Sequence, residues 1–302
     1  MPQKPVANPG SPTLTRRAPK GVREELVKEV GFRCPIEGCG VPYLTFHHFG
    51  PPWKVKAHHN PAGMVALCSN HAAKADNGYY PDDHFRRLKA EGAGRAATVS
   101  GEFDYLRRNV LAMLGSNMFY NVDTIVEVGG ERQVFFERDA NGYLLLNFKL
   151  PGADGAPRAW MENNVWVVEP GADYIECPPR GRYLSVDFPN GDHFRVEYSD
   201  VESKEEFLKK YPIAKYPPTE HMADVVDYPL TIAEFWEKAQ GTTIQFGKNG
   251  TQFAGNLISN SAMTNARVGI SMESEPTTQL PFEMHELLAR ALELHYSAQR
   301  IQ

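Results

Sequence analysis

Cys34-Pro-Ile-Glu-Gly-Cys39, Leu44-Thr-Phe-His-His48, His58-His-Asn-Pro61 and Met64-Val-Ala-Leu-Cys-Ser-Asn-His-Ala-Ala-Lys-Ala-Asp76 together decide the fold of the first part of this chain. Three of the four cysteines and half of the ten histidines lie between Cys34 and His71. Cys34 and Cys39 flank a turn containing Pro and Gly that can aim two thiolates at one ion. Cys68 and His71 stand about one helical turn apart. Four Cys and His ligands in two pairs suit tetrahedral, structural zinc. Residues 43–49 and Met64–Leu67 have strand composition. Ser69 is suited to cap a helix running to about Asp76, which Asn77-Gly78 would end. The order is therefore strand, loop, strand, helix.

Working outward, Val22, Leu26, Val27 and Val30 make one apolar face of a helix over residues 21–31. Pro81 and Asp82 start another, with Phe85 and Leu88 inward and Arg86, Arg87 and Lys89 outward. A further helix is expected over 102–115. After Phe119 the texture changes to short strands: Val122–Val128, Gln133–Arg138, Tyr143–Leu150, Val165–Val168, Tyr174–Cys177, Tyr183–Phe188 and Phe194–Tyr198. Asp139-Ala-Asn-Gly142 is a hairpin signal. Such spacing predicts an antiparallel sandwich or barrel. The stretch with Lys209, Lys210 and Tyr-Pro-Pro reads as a linker and Thr231–Ala239 as a helix. Thr243–Ile270 reads as edge strands or a small β-solenoid fragment, and Pro281–Gln302 as a terminal helix. The expected class is α+β. The expected units are a disordered tail (1–20), a metal-bearing ββα domain with a helical extension (21–117), and a mainly antiparallel β-rich domain (118–302), with a split near 200–230 left open.

The length of 302 residues fits two domains or three small ones, and 42% hydrophobic residues suffice for packed cores. No run approaches the roughly 18 apolar residues of a membrane span. The first twenty residues, rich in Pro, Ser, Thr and Arg, do not read as a secretory signal. Few cysteines with ligand-like spacing predict a reducing cytoplasm rather than a disulfide framework. Cys177 reads as a small buried residue. The net charge of −5 argues against a strongly basic nucleic-acid binder, yet the first 118 residues carry a positive excess and the remainder a negative one. Positive charge beside a metal suits a polyanionic substrate.

The segment from Leu44 to Pro51, His59, Met64–Cys68 and His71–Asp76 resembles the HNH endonuclease family, whose fold is the ββα-metal motif. The resemblance covers residues 22–92 and is most specific at 34–76. It implies a metal-dependent endonuclease hydrolysing DNA phosphodiester bonds, in a setting such as bacterial defence or a mobile element. By carry-over, His47 is a ligand of the catalytic ion, His48 the general base and Asp76 the helix ligand. One His and one Asp leave an ion open to water and phosphate, which favours Mg²⁺ or Mn²⁺. Two positions depart from the family pattern. Gly63 stands where the middle asparagine is expected, with Asn60 or His59 as substitutes from the neighbouring turn. Ala72 stands where many relatives keep a second helix ligand. Lys54, Lys56 and Lys74 flank the cluster as phosphate contacts; Arg86, Arg87 and Lys89 fit a solvated helix face better. Trp53 is suited to packing over the loop. The alternatives are a zinc-stabilised module that binds DNA or RNA without cutting it, and a partner-gated subunit that docks or self-associates through residues 119–302.

Overall fold

Strands β1 (Leu44–His48) and β2 (Met64–Cys68) pair antiparallel, from Leu44↔Cys68 to His48↔Met64, and helix α2 (Ser69–Asp76) follows β2 directly. All five residues of β2 are buried, because α2 contacts both strands of the hairpin and α1 (Lys20–Glu29) packs on it too. Leu26 and Val27 of α1 and Phe85 and Leu88 of α3 (Asp82–Gly92) complete this core. Cys68 occupies the N-cap of α2 and makes no side-chain cap, while Ser69 is the first helical residue. The expected Ser69 cap is therefore displaced by one position. Asn77 is the C-cap and Gly78 follows at φ +74°, a left-handed conformation that glycine adopts without strain. Lys89 turns inward rather than outward. Its ammonium donates to the carbonyls of Pro61 (2.6 Å) and Met64 (2.7 Å) and pairs with Glu29 at 2.6 Å.

The computed structural model describes residues 14–92, 98–103, 105–151, 157–179, 181–238, 244–247, 250–253 and 256–272. Among them are five helices and a large, mostly antiparallel sheet, an α+β architecture. The sheet comprises β3 (Val99–Glu102), β4 (Val110–Leu114), β5 (Asn117–Val128), β6 (Glu131–Arg138), β7 (Leu144–Pro151), β8 (Pro157–Glu162), β9 (Val165–Val168), β10 (Tyr174–Glu176), β11 (Tyr183–Asp187), β12 (His193–Val201) and β13 (Leu230–Lys238). Their spatial order is β10-β11-β12-β13-β4-β5-β6-β7-β8-β9-β3. Strands β14 (Ile244–Gly247), β15 (Gly250–Phe253) and β16 (Asn256–Ile258) form a meander off β13, and β17 (Ala262–Met272) runs parallel to β5.

Two expected helices are strands. The stretch 102–115 holds β4, and the described part of the expected helix Thr231–Ala239, up to Lys238, lies on β13, which pairs parallel with β4. The reason is burial on both faces. Ala112, Leu114, Ala233 and Phe235 face the main β core. Leu111, Met113, Leu230 and Ile232 face a second core beneath α4 (Lys204–Lys210) and α5 (Thr219–Val225). A strand buried on both sides shows no alternation, so its apolar run reads like a helix. The stretch read as a linker instead joins two helices: α4 ends at Lys210, and Tyr216-Pro217-Pro218 leads into α5. The large sheet begins at Val99, ahead of the boundary expected at residue 117. The expected terminal helix over Pro281–Gln302 and the first thirteen residues of the expected tail lie outside the described residues. Residues 14–19 are described, and Ala18 is buried in the ββα core.

The two bodies are fastened together. Tyr43 bridges to Cys177 beyond β10, and its hydroxyl bonds the backbone of Glu102 on β3. The strands at opposite ends of the sheet order thus meet the same residue of the ββα unit. Arg23 of α1 pairs with Glu176 of β10, Lys28 pairs with Asp173 at 3.6 Å, and Tyr174 is buried in the ββα core. No helix among the described residues is long and apolar enough to cross a membrane.

Candidate metal centre and adjoining cleft

Cys34, Cys39, Cys68 and His71 converge, their four ligand atoms lying within 4.8 Å of one another. The turn that carries the first two is closed by Cys34 N–H to Val41 O (2.8 Å) and Cys39 N–H to Ile36 O (3.0 Å). The Sγ atoms of Cys39 and Cys68 are 3.8 Å apart, and all four cysteines are free thiols. His71 Nδ1 lies 3.3 Å from Cys34 Sγ and 3.2 Å from Cys68 Sγ. Ligands at zinc bond lengths on a tetrahedron stand about 3.8 Å (S···S) and about 3.5 Å (S···N) apart. The quartet therefore fits a metal ion such as zinc. Burial pushes the Cys34 thiol up to about 12, so that thiol stays protonated without a cation, and cation binding there must expel its proton.

On the neighbouring face of β1, His47 Nδ1 meets Asp76 Oδ1 of α2 at 2.8 Å. His47 is buried beside Phe85, whereas the Asp76 carboxylate is half-exposed. That separation is a hydrogen bond joining the end of β1 to the last turn of α2. The pair lines a cleft of about 700 Å³ between the ββα unit and β10–β11. Thr45, Phe46 and Ser69 also line it on the ββα side; Glu176, Pro178, Pro179 and Tyr183 form the opposite wall; Arg16 and Arg17 contribute from the N-terminal segment.

His48 turns the other way. Its ring sits 4.8 Å from Trp53, 5.1 Å from His58 and 6.2 Å from His59. His48 Nε2–H donates to the His58 carbonyl at 3.1 Å, which places the lone pair on Nδ1. That atom is buried and has no hydrogen-bond partner among the described residues. Burial, then the neighbouring His58, push His48 down to about 4, so the ring is neutral at neutral pH. His58 is itself locked: Nε2–H donates to Pro51 O (2.8 Å) and Nδ1 accepts from Asn60 N–H (3.1 Å). Asn60 Oδ1 caps the 3-10 turn Pro61–Gly63 through Ala62 N–H, so neither Asn60 nor His59 orients His48; the His58 carbonyl does. His59 Nε2–H instead donates to Thr15 O at 2.9 Å, tying down the N-terminal segment.

Gly63 has its own physical reason. Its carbonyl accepts from Phe49 N–H (2.9 Å) and Gly50 N–H (3.1 Å), and a Cβ there would stand 2.0 Å from Gly50 O. An asparagine does not fit on this backbone. Gly63→Asn is therefore expected to destabilise the ββα unit by roughly 1–3 kcal/mol, the usual cost of overpacking, measured by chemical denaturation. Unchanged stability would show that the Gly50–Gly63 contact is loose.

Lys54, Lys56 and Lys74 are all exposed, the first two on the loop covering His48 and the third on α2. Arg86 and Arg87 are exposed on α3, with Arg86 over the Phe49 ring at 5.6 Å. Trp53 packs between His48 and His59. The residues that sequence reasoning missed are Arg16 and Arg17; a segment of Pro, Ser, Thr and Arg gave no periodic signal that it would lie beside the cleft. Ala72 is buried and offers no ligand. No family model, curated protein or solved structure matches the chain.

Proposed function

We propose that the chain is a metal-dependent endonuclease of HNH type, with Cys34, Cys39, Cys68 and His71 holding a structural zinc ion and His47 and Asp76 holding Mg²⁺ or Mn²⁺. The observation that carries this reading is the His47–Asp76 pair, placed by β1 and α2 at the edge of an open cleft, next in sequence to a neutral histidine with a free nitrogen. A divalent ion bound there would stabilise negative charge on the phosphate oxygens. His48 Nδ1 takes the proton of the attacking water, and the His58 carbonyl keeps the opposite nitrogen protonated so that Nδ1 remains the base. Water adds to phosphorus, the P–O3′ bond breaks, and the 3′ oxygen takes a proton from solvent. His48 faces away from the cleft, under Trp53 and His59, so loop residues 49–59 must part and the ring must turn toward the ion for Nδ1 to meet the attacking water. DNA is the expected substrate.

Asp76→Ala tests the ion site. The Mg²⁺ or Mn²⁺ concentration for half-maximal cutting should rise roughly ten-fold or more, with zinc content unchanged. Identical metal dependence in the variant would remove Asp76 from the site. The burial of His48 Nδ1 favours a second reading, a zinc-stapled module that grips nucleic acid without cutting it. On that reading no divalent ion produces strand breaks.

A further inference from the structure

Resting on the nucleic-acid reading of the cleft, we infer that it takes a single DNA strand rather than an intact duplex, with Arg16 and Arg17 as the side chains that grip its phosphates.

The first support is the shape of the cleft. The His47–Asp76 pair does not sit on an open surface; β10 and the segment leading into β11 form a second wall. That wall is held by the Arg23–Glu176 pair, by Lys28–Asp173 and by Tyr174 in the ββα core. The space of about 700 Å³ falls within the roughly 300–1,000 Å³ of small-molecule pockets. It accommodates a few nucleotide units, whereas a stiff duplex cannot bend into it. A single strand turns sharply and offers its bases to aromatic faces. Phe46 and Tyr183 line the cleft half-buried. Arg195 covers one face of Tyr183 at 4.1 Å, so at most the other face receives a base.

The second support is charge. Asp76 is engaged by His47 and Glu176 by Arg23. Arg16 and Arg17 line the same space, are exposed, and have no ion-pair partner among the described residues. Their segment is tethered on both sides, through Thr15 O to His59 and through buried Ala18. The tethered backbone keeps both guanidinium groups beside the cleft, where their planar fork suits phosphate oxygens.

The test is fluorescence anisotropy on the full chain with a labelled single-stranded 12-mer and its blunt duplex, without added Mg²⁺ or Mn²⁺ and across a salt series. The single strand should bind at least ten-fold tighter than the duplex. Arg16→Ala/Arg17→Ala should weaken single-strand binding ten-fold or more. It should also flatten the log–log salt slope by about 1.4, the value for two lost phosphate contacts on a single strand. Arg16→Lys/Arg17→Lys should recover most of the salt slope. Equal or tighter duplex binding overturns the inference, as does an alanine variant with wild-type affinity and slope. A parallel cutting assay separates the two ideas. Single-strand binding without cutting leaves this inference standing and removes the nuclease reading. Cutting with no strand preference overturns the inference and leaves the nuclease.

Discussion

His48→Ala is expected to slow DNA strand scission by about 10²–10⁴-fold, the usual contribution of a positioned general base, while the protein keeps its zinc and its fold. The ring meets Trp53, His58 and His59 through tilted and edge contacts, and only one of its nitrogens is bonded. Its removal leaves a small, partly polar hole at the end of β1, under loop residues 49–59 rather than within the β2 core, so structural loss is modest. A glutamine at the same position can reproduce the bond to the His58 carbonyl without supplying a base. His48→Gln should therefore restore thermal stability but not cutting. That split separates a chemical role from a packing role. If His48→Gln restored both, His48 would be positioning the loop and some other group would take the proton.

Cys68→Ala carries the second large effect, on folding. Residues 20–92 form a unit of about the size at which a hydrophobic core alone is marginal and a metal staple is decisive. Structural zinc is worth as much as roughly 10–16 kcal/mol in peptides that fold only around it; here Leu26, Met64, Leu67 and Phe85 supply a core of their own, so the share is smaller. A loss of about 3 kcal/mol already lowers the midpoint of such a unit by roughly 12–24 °C. Calorimetry should show an early transition for the ββα unit and a second transition for the β body, with bound zinc falling from one equivalent to none. Cys177→Ala is the matched control. Cys177 is buried in the β core, away from the quartet, so zinc content should not change. Zinc retained in Cys68→Ala would mean that the four residues do not hold the ion.

The ββα unit was legible because each element carries a local signal: the Pro/Gly turn between Cys34 and Cys39, the strand run ending at His47-His48, and the Asn77-Gly78 stop. The quartet followed from spacing, since a turn and one helical step fix the separation of each pair. The pairing of His47 with Asp76 came from the resemblance, and the structure brings the two side chains together. What orients His48 was not legible, because the partner is a backbone carbonyl and any side chain could stand at position 58. Nor was the central sheet, where β4 and the first half of β13 are buried on both faces and lose the alternation that marks a strand. Arg16 and Arg17 escaped notice because their placement depends on a backbone bond from Thr15 to His59 and on one buried alanine, neither of which leaves a periodic trace.

The most direct test of the central claim is scission of circular single-stranded DNA by zinc-loaded full-length protein, with Mg²⁺, Mn²⁺ or no added ion, beside zinc-loaded His48→Ala. The account predicts linear product only with an added divalent ion and its loss in the variant. Intact circles under every condition, or scission that survives in His48→Ala, would contradict it.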